Sequence, residues 1–177
     1  LPDAPDHRQE LLAVLDGPDI VHIADAPVRR IMSISVSIGT RAPAYPTALG
    51  RVLLAHESPG AIEDYLDRVE FKKYTPRTIA SRNALRAVLD EVRDGGYSIV
   101  DEELEQGLLS ASVPVHGADG RVAAALASWT IKGRWTAERM RETIVPELLH
   151  AAKAISADLG NTAGRPNPFR ASAGSRF

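Results

Sequence analysis

Three groups of side chains in this sequence have the types and spacing to do chemistry. The first lies in the stretch Gly39-Thr40-Arg41-Ala42-Pro43-Ala44-Tyr45-Pro46-Thr47-Ala48-Leu49-Gly50-Arg51. Two prolines hold the approach extended, and Thr47 then stands where a helix N-cap belongs. The free N–H donors of Ala48, Leu49 and Gly50 point out of that helix end, which attracts anions. Gly50, lacking a Cβ, lets a ligand or another backbone come close. An ordinary capped helix packing Val52, Leu53 and Leu54 on a core reads the same way. The second group is a pair of strands: Ser110 and Ser112 share one face, as do Ala125, Ala127 and Trp129. With the hydroxyl-bearing set Ser33, Ser35 and Ser37 they can line a cavity floored by small side chains and walled by one indole, which suits a small organic ligand. The same smallness also lets a helix or a second subunit lie close. The third group is the acidic run Asp101, Glu102, Glu103 and Glu105, closed by Gly107. It offers Asp101 or Glu103 as a general base, but no second catalytic partner accompanies them. It also lacks the alternating oxygen ligands of a calcium loop, so a solvated loop is its plainest reading.

Other chemistries have no support. The five histidines, His7, His22, His56, His116 and His150, are scattered without metal-ligand spacing, and cysteine is absent, so neither metal nor cofactor is expected. No nucleotide-binding glycine motif and no nucleophile-elbow G-x-S-x-G occurs. The formal net charge of −2, with both signs mixed along the chain, argues against direct nucleic-acid binding by this body. No apolar run approaches the roughly 20 residues of a membrane span, and the start lacks a signal-peptide pattern, so a cytoplasmic protein without membrane contact is expected.

The elements that must position these groups can be read in order along 177 residues, of which 44% are hydrophobic. Residues 1–9 read as a linker or a cut end, 10–161 as the domain, and 162–177 as a disordered tail with three arginines and no acid. Apolar segments at 10–15 and 20–24, joined by Asp16-Gly17-Pro18-Asp19, predict a β-hairpin, and residues 30–38 alternate as a third strand. Three helices follow: one from Thr47; a second with Ser58 as cap and Pro59 at its first turn; a third from Ser81, with Leu85, Val88, Leu89 and Val92 on one stripe and Gly95-Gly96 as its stop. A strand at 97–100, the acidic loop, a second hairpin over 109–130 and a last helix through Met140, Ile144, Leu148 and Ile155 complete the chain. Pro146 should kink or split that helix. The order β-β-β-α-α-α-β-β-β-α, with hairpins at both ends, predicts an α+β fold: an antiparallel sheet with helices massed on one face.

Four segments carry a family resemblance: Leu12-Ala13-Val14-Leu15-Asp16-Gly17; Gly39 to Tyr45 with Gly50-Arg51-Val52-Leu53-Leu54-Ala55; Tyr74-Thr75-Pro76-Arg77-Thr78-Ile79; and Gly96-Tyr97 followed by Glu102, Glu103 and Gly107. In this order they resemble the effector-binding domain of IclR-type bacterial transcriptional regulators; Arg30-Ile31-Met32-Ser33-Ile34, Arg41 to Tyr45, Gly50 to Ala55 and Glu103-Leu104-Glu105-Gln106-Gly107-Leu108 look most like the branch regulating protocatechuate, 4-hydroxybenzoate and β-ketoadipate catabolism. The resemblance implies a GAF-like (profilin-like) antiparallel sheet with helices on one face and a ligand pocket on the other, in homodimers or homotetramers. It also implies a preceding winged helix-turn-helix domain through which any DNA contact is made. Nothing before Glu10 forms a recognition helix, so that domain is expected to be missing from this chain.

Carried over residue by residue, the family pocket corresponds to Thr47, Ala48 and Leu49 at the helix start, Asp101, Ser110, and Ala127 with Trp129. Members that bind very small acids have serines at the last two positions. Here Ala127 and Trp129 remove hydroxyls and add a flat surface, which favours a larger, flatter effector unless the indole itself fills the pocket. Arg41 and Tyr45, on the loop before the cap, are further candidates as carboxylate and hydroxyl partners. Structurally, Arg41 would instead pair with an acid and Tyr45 would cover the core. The function expected is sensing of a small aromatic or dicarboxylic acid catabolite. The alternatives are a dimerisation module with a filled pocket, and an acid/base enzyme using Asp101 or Glu103.

Overall fold

The computed structural model describes residues 8–26, 37–133 and 135–162. The first hairpin forms as the turn chemistry dictates: β1 (Gln9–Asp16) returns as β2 (Asp19–Ala26) through Gly17-Pro18, with Asp16 opposite Asp19 and Gly17 at φ +61°. Residues 30–36 of the expected third strand lie outside the described residues. Its last two residues, Ser37 and Ile38, sit in a turn in which the Thr40 N–H bonds the Ser37 carbonyl. Among the described residues the third strand is β3 (Arg41–Pro43), a short edge strand on β2 within the stretch expected to be loop. Pro43 ends it, as a proline can only at an edge.

Helices α1 (Ala48–Ala55), α2 (Pro59–Arg68) and α3 (Arg82–Gly95) begin at the expected caps. The side chains of Thr47, Ser58 and Ser81 accept from the N–H groups of Gly50, Ala61 and Ala84. Gly96 ends α3 in the left-handed conformation, φ +73°. Then come β4 (Ser98–Asp101), β5 (Leu108–His116) and β6 (Val122–Ile131), and the sheet order is β3-β2-β1-β6-β5-β4, antiparallel throughout. The central pair β1–β6 joins the two hairpins.

Alternation along the strands sorts the core into two. Leu11 and Ala13 of β1, with Ala125 and Ala127 of β6, pack with α1, α2 and α3 through Val52, Leu53, Ile62, Leu66, Leu85 and Leu89. The three consecutive helices are therefore massed on one face. On the other, Leu109, Val113 and Val115 of β5 and Leu126 of β6 meet Met140, Ile144, Leu148 and Ala152 of the C-terminal helical run. That run is α4 (Ala137–Arg139), a π-helical turn (Met140–Ile144) and α5 (Val145–Asp158). The division expected at Pro146 is a change of helix type. The Val145 N–H bonds the Met140 carbonyl five residues back, so the wide turn ends beside the proline that has no N–H to give.

Candidate ligand-binding site

Thr47 organises the start of α1. Its hydroxyl donates to the Ala44 carbonyl (2.9 Å) and accepts from Gly50 N–H (3.0 Å), while its own carbonyl accepts from Arg51 N–H (3.1 Å). Ala48 and Leu49 keep the first-turn N–H groups that have no acceptor in the described chain. Gly50 has the backbone role: a methyl there would overlap the carbonyl and Cα of Ala44, so the closeness it permits is of loop to helix.

Beside this helix end lies a cavity of about 230 Å³, lined by Thr47, Ala48 and Leu49, by Ser110, Ala127 and Trp129, and by residues of the first hairpin, β3 and the acidic loop. Six of the nine residues picked out in the sequence are thereby brought together. The cavity sits on the face that carries α1, whereas the resemblance implied a pocket on the face away from the helices. The small side chains Ser110 and Ala127 leave the room where they meet the first turn of α1. Its walls are mostly apolar: Leu11, Ile20, Ala42, Leu104 and Leu108. The Trp129 indole N–H is buried without a hydrogen-bond partner among the described residues. His22, also on the wall, donates from Nδ1 to the Thr40 carbonyl (3.0 Å), which in the neutral ring leaves Nε2 an acceptor. A cavity beside Thr47 is what a filled-in dimerisation module would lack.

The other three picked residues lie elsewhere. Arg41 forms ion pairs with Asp16 (2.5 Å) and Asp19 (3.3 Å) across the first hairpin. Tyr45 is 2% exposed; its hydroxyl donates to the Lys72 carbonyl (2.5 Å) and accepts from Lys72 N–H (2.7 Å), and burial pushes its pKa up. Asp101 binds Arg77 (2.7 Å) and Lys132 (2.9 Å) and does not line the cavity. Of the serine set, Ser33 and Ser35 lie outside the described residues, and Ser37 is in the turn before Thr40. Sequence reasoning did not reach Leu11, Ile20, His22, Thr40, Ala42, Leu104, Glu105 and Leu108 as parts of the cavity. The alternation of Ile20 and His22 along one face of the hairpin is the signal that carries two of them.

The acidic loop is tied down rather than solvated. Glu103 is 7% exposed and accepts a bidentate pair from Arg51 of α1, itself 2% exposed, at 2.7 and 2.6 Å. Its Oε2 also accepts from Ile79 N–H (2.8 Å), and its carbonyl accepts from the Thr78 hydroxyl (2.6 Å). Glu102, at φ +60°, binds Lys132 (2.8 Å), Gly107 N–H (2.8 Å) and Arg77 (2.9 Å). The Lys132 bond first, then the Gly107 N–H, hold its carboxyl below the usual range. The Tyr74-to-Ile79 motif is thus the loop's fastening. Glu103 as a general base is overturned, because both of its oxygens are committed. Among the described residues, no cluster of three or more His, Asp or Glu could hold a metal ion.

A small, mostly apolar cavity between a capped helix end and an antiparallel sheet is the architecture of a small-molecule-binding domain. The chain belongs to the IclR family: the model described as "Bacterial transcriptional regulator IclR C-terminal" matches residues 7–157, and the domain is a regulator's ligand-sensing effector domain and not an enzyme. It is similar to the Pca regulon regulatory protein of Pseudomonas putida, 41% identical over 150 residues that cover 84% of this chain and 52% of that protein. A transcriptional regulator from Rhodococcus sp. RHA1 superposes with TM-score 0.83 at 40% identity, over 87% of this chain and 63% of that one. The PobR inducer-binding domain from Acinetobacter, solved as a double mutant with 3-hydroxybenzoic acid, does so with TM-score 0.78 at 27% identity, covering 84% and 87%. The chain spans about half the length of the curated relatives it matches.

Proposed function

We propose that this domain binds a small aromatic or dicarboxylic acid catabolite in the cavity at the start of α1 and thereby governs DNA binding by a separate, preceding winged helix-turn-helix domain. One observation carries the reading: Ala48 and Leu49, whose N–H groups at the positive end of α1 have no acceptor among the described residues, line a cavity with apolar walls and one indole. The acid group binds the helix end and the ring or chain lies against Trp129, with Ser110 and Thr47 as hydroxyl partners. Arg41, Tyr45 and Asp101 act at one remove, through the hairpin, the packing under the helix and the acidic loop. Binding moves the regulator only by its differential affinity for two arrangements of the attached domains. The reading includes a GAF-like (profilin-like) sensor architecture, a cytoplasmic setting and a homodimer or homotetramer. Supporting it, no helix among the described residues is long and apolar enough to cross a membrane.

Calorimetric titration with a panel of aromatic mono- and dicarboxylic acids tests the proposal. Saturable binding that weakens at least tenfold in Trp129→Ala and in Thr47→Val is expected. Binding by none of the panel, or binding indifferent to both substitutions, would refute it.

A further inference from the structure

Four carboxylates crowd the acidic loop, and three of them are neutralised: Asp101 and Glu102 by Arg77 and Lys132, Glu103 by Arg51. Glu105 is different. Its carboxylate has no hydrogen-bond or ion-pair partner among the described residues, and it is the one acid on the cavity wall. No arginine or lysine among the described residues lines that wall to offset it. Its backbone is held in place, since Glu103 is locked to α1, Gly107 N–H bonds Glu102 (2.8 Å) and Leu108 N–H bonds the Glu105 carbonyl (3.2 Å). A cavity of about 230 Å³ is roughly 8 Å across, no more than the Debye length at physiological salt, so a charge on Glu105 reaches any ligand atom inside it.

We propose that Glu105 is a specificity-determining residue that admits a ligand with one carboxylate and rejects a second. This rests on the acid-binding reading above and narrows it. The helix end satisfies one anionic group. A second carboxylate would lie within reach of Glu105 with no arginine or lysine among the described lining residues to compensate, whereas a hydroxyl in its place can donate to Glu105. The class of ligand is then a flat monocarboxylic acid carrying a hydrogen-bond donor away from its acid group.

Two probes on one ring scaffold separate the cases, 4-hydroxybenzoate and benzene-1,4-dicarboxylate, titrated at pH 7.5 and low salt into the whole chain and into its Glu105→Gln variant. Like charges roughly 8 Å apart in a medium intermediate between protein and water predict about a tenfold preference for 4-hydroxybenzoate. Glu105→Gln should tighten dicarboxylate binding about tenfold while changing 4-hydroxybenzoate binding less than about threefold. Residue 105 is exposed, so an unchanged melting temperature controls for folding. A preference that survives Glu105→Gln, or equal binding of both acids by the unaltered chain, would overturn the role of Glu105 and leave acid sensing standing. Binding of neither probe to either form would overturn both.

Discussion

Gly50 and His116 show how much one residue fixes. A glycine inside a helix ordinarily destabilises it by about 1 kcal/mol relative to alanine. At Gly50 the sign reverses, because the methyl would overlap the Ala44 backbone. Gly50→Ala is therefore expected to destabilise the domain by about 1–3 kcal/mol, the usual range for overpacking, as read from urea unfolding. His116 is held below the ordinary histidine range, first by burial and then by the neighbouring His56. The unfolded chain takes up that proton near pH 6.5, before the folded one does, so stability is lost as pH falls below that value. Melting temperature should drop between pH 7.5 and 5.5, and His116→Asn should shrink the drop. At this scale the sequence was most readable where one side chain acts on its own backbone. Thr47, Ser58 and Ser81 cap their helices through neighbours three residues on, a chemistry that needs no knowledge of the fold.

Between elements, the Arg51–Glu103 pair joins α1 to the acidic loop, and thereby two walls of the cavity, across 52 positions of sequence. Nothing local marks it. Arg51 falls within an apolar helix start and Glu103 within a run that reads as a solvated loop, and only the packed fold buries them against each other. Removing one partner strands a buried charge, so Arg51→Met is expected to cost about 3–5 kcal/mol in chemical unfolding. Arg51→Met with Glu103→Leu should recover much of that loss, since replacing a buried pair by apolar side chains is often neutral. The short strand β3 was unreadable for a related reason: three residues with a proline become a strand only because the edge of β2 is there to receive them.

At the scale of the molecule, the hairpin chemistry and the helix stripes were enough to predict an α+β antiparallel fold, with all of its helices expected on one face. The two-sided core was not, because the C-terminal helix finds its face only once β1 and β6 are side by side. Ligand linkage also belongs here. An acid bound only by the folded domain, at one hundred times its dissociation constant, stabilises it by about 2.7 kcal/mol. For a domain of this size that is a rise in melting temperature of roughly 5–10 °C, which thermal unfolding with and without 4-hydroxybenzoate would detect.

The register of the central strands sets how the cavity can change shape. Trp129 pairs with Gln9 on one side and with Ser110 on the other, so its backbone is pinned in two ladders. Sliding that strand would disturb both neighbours at once. What is left to the indole is rotation about its own side-chain bonds, so a ligand that displaced it would leave the frame where it was.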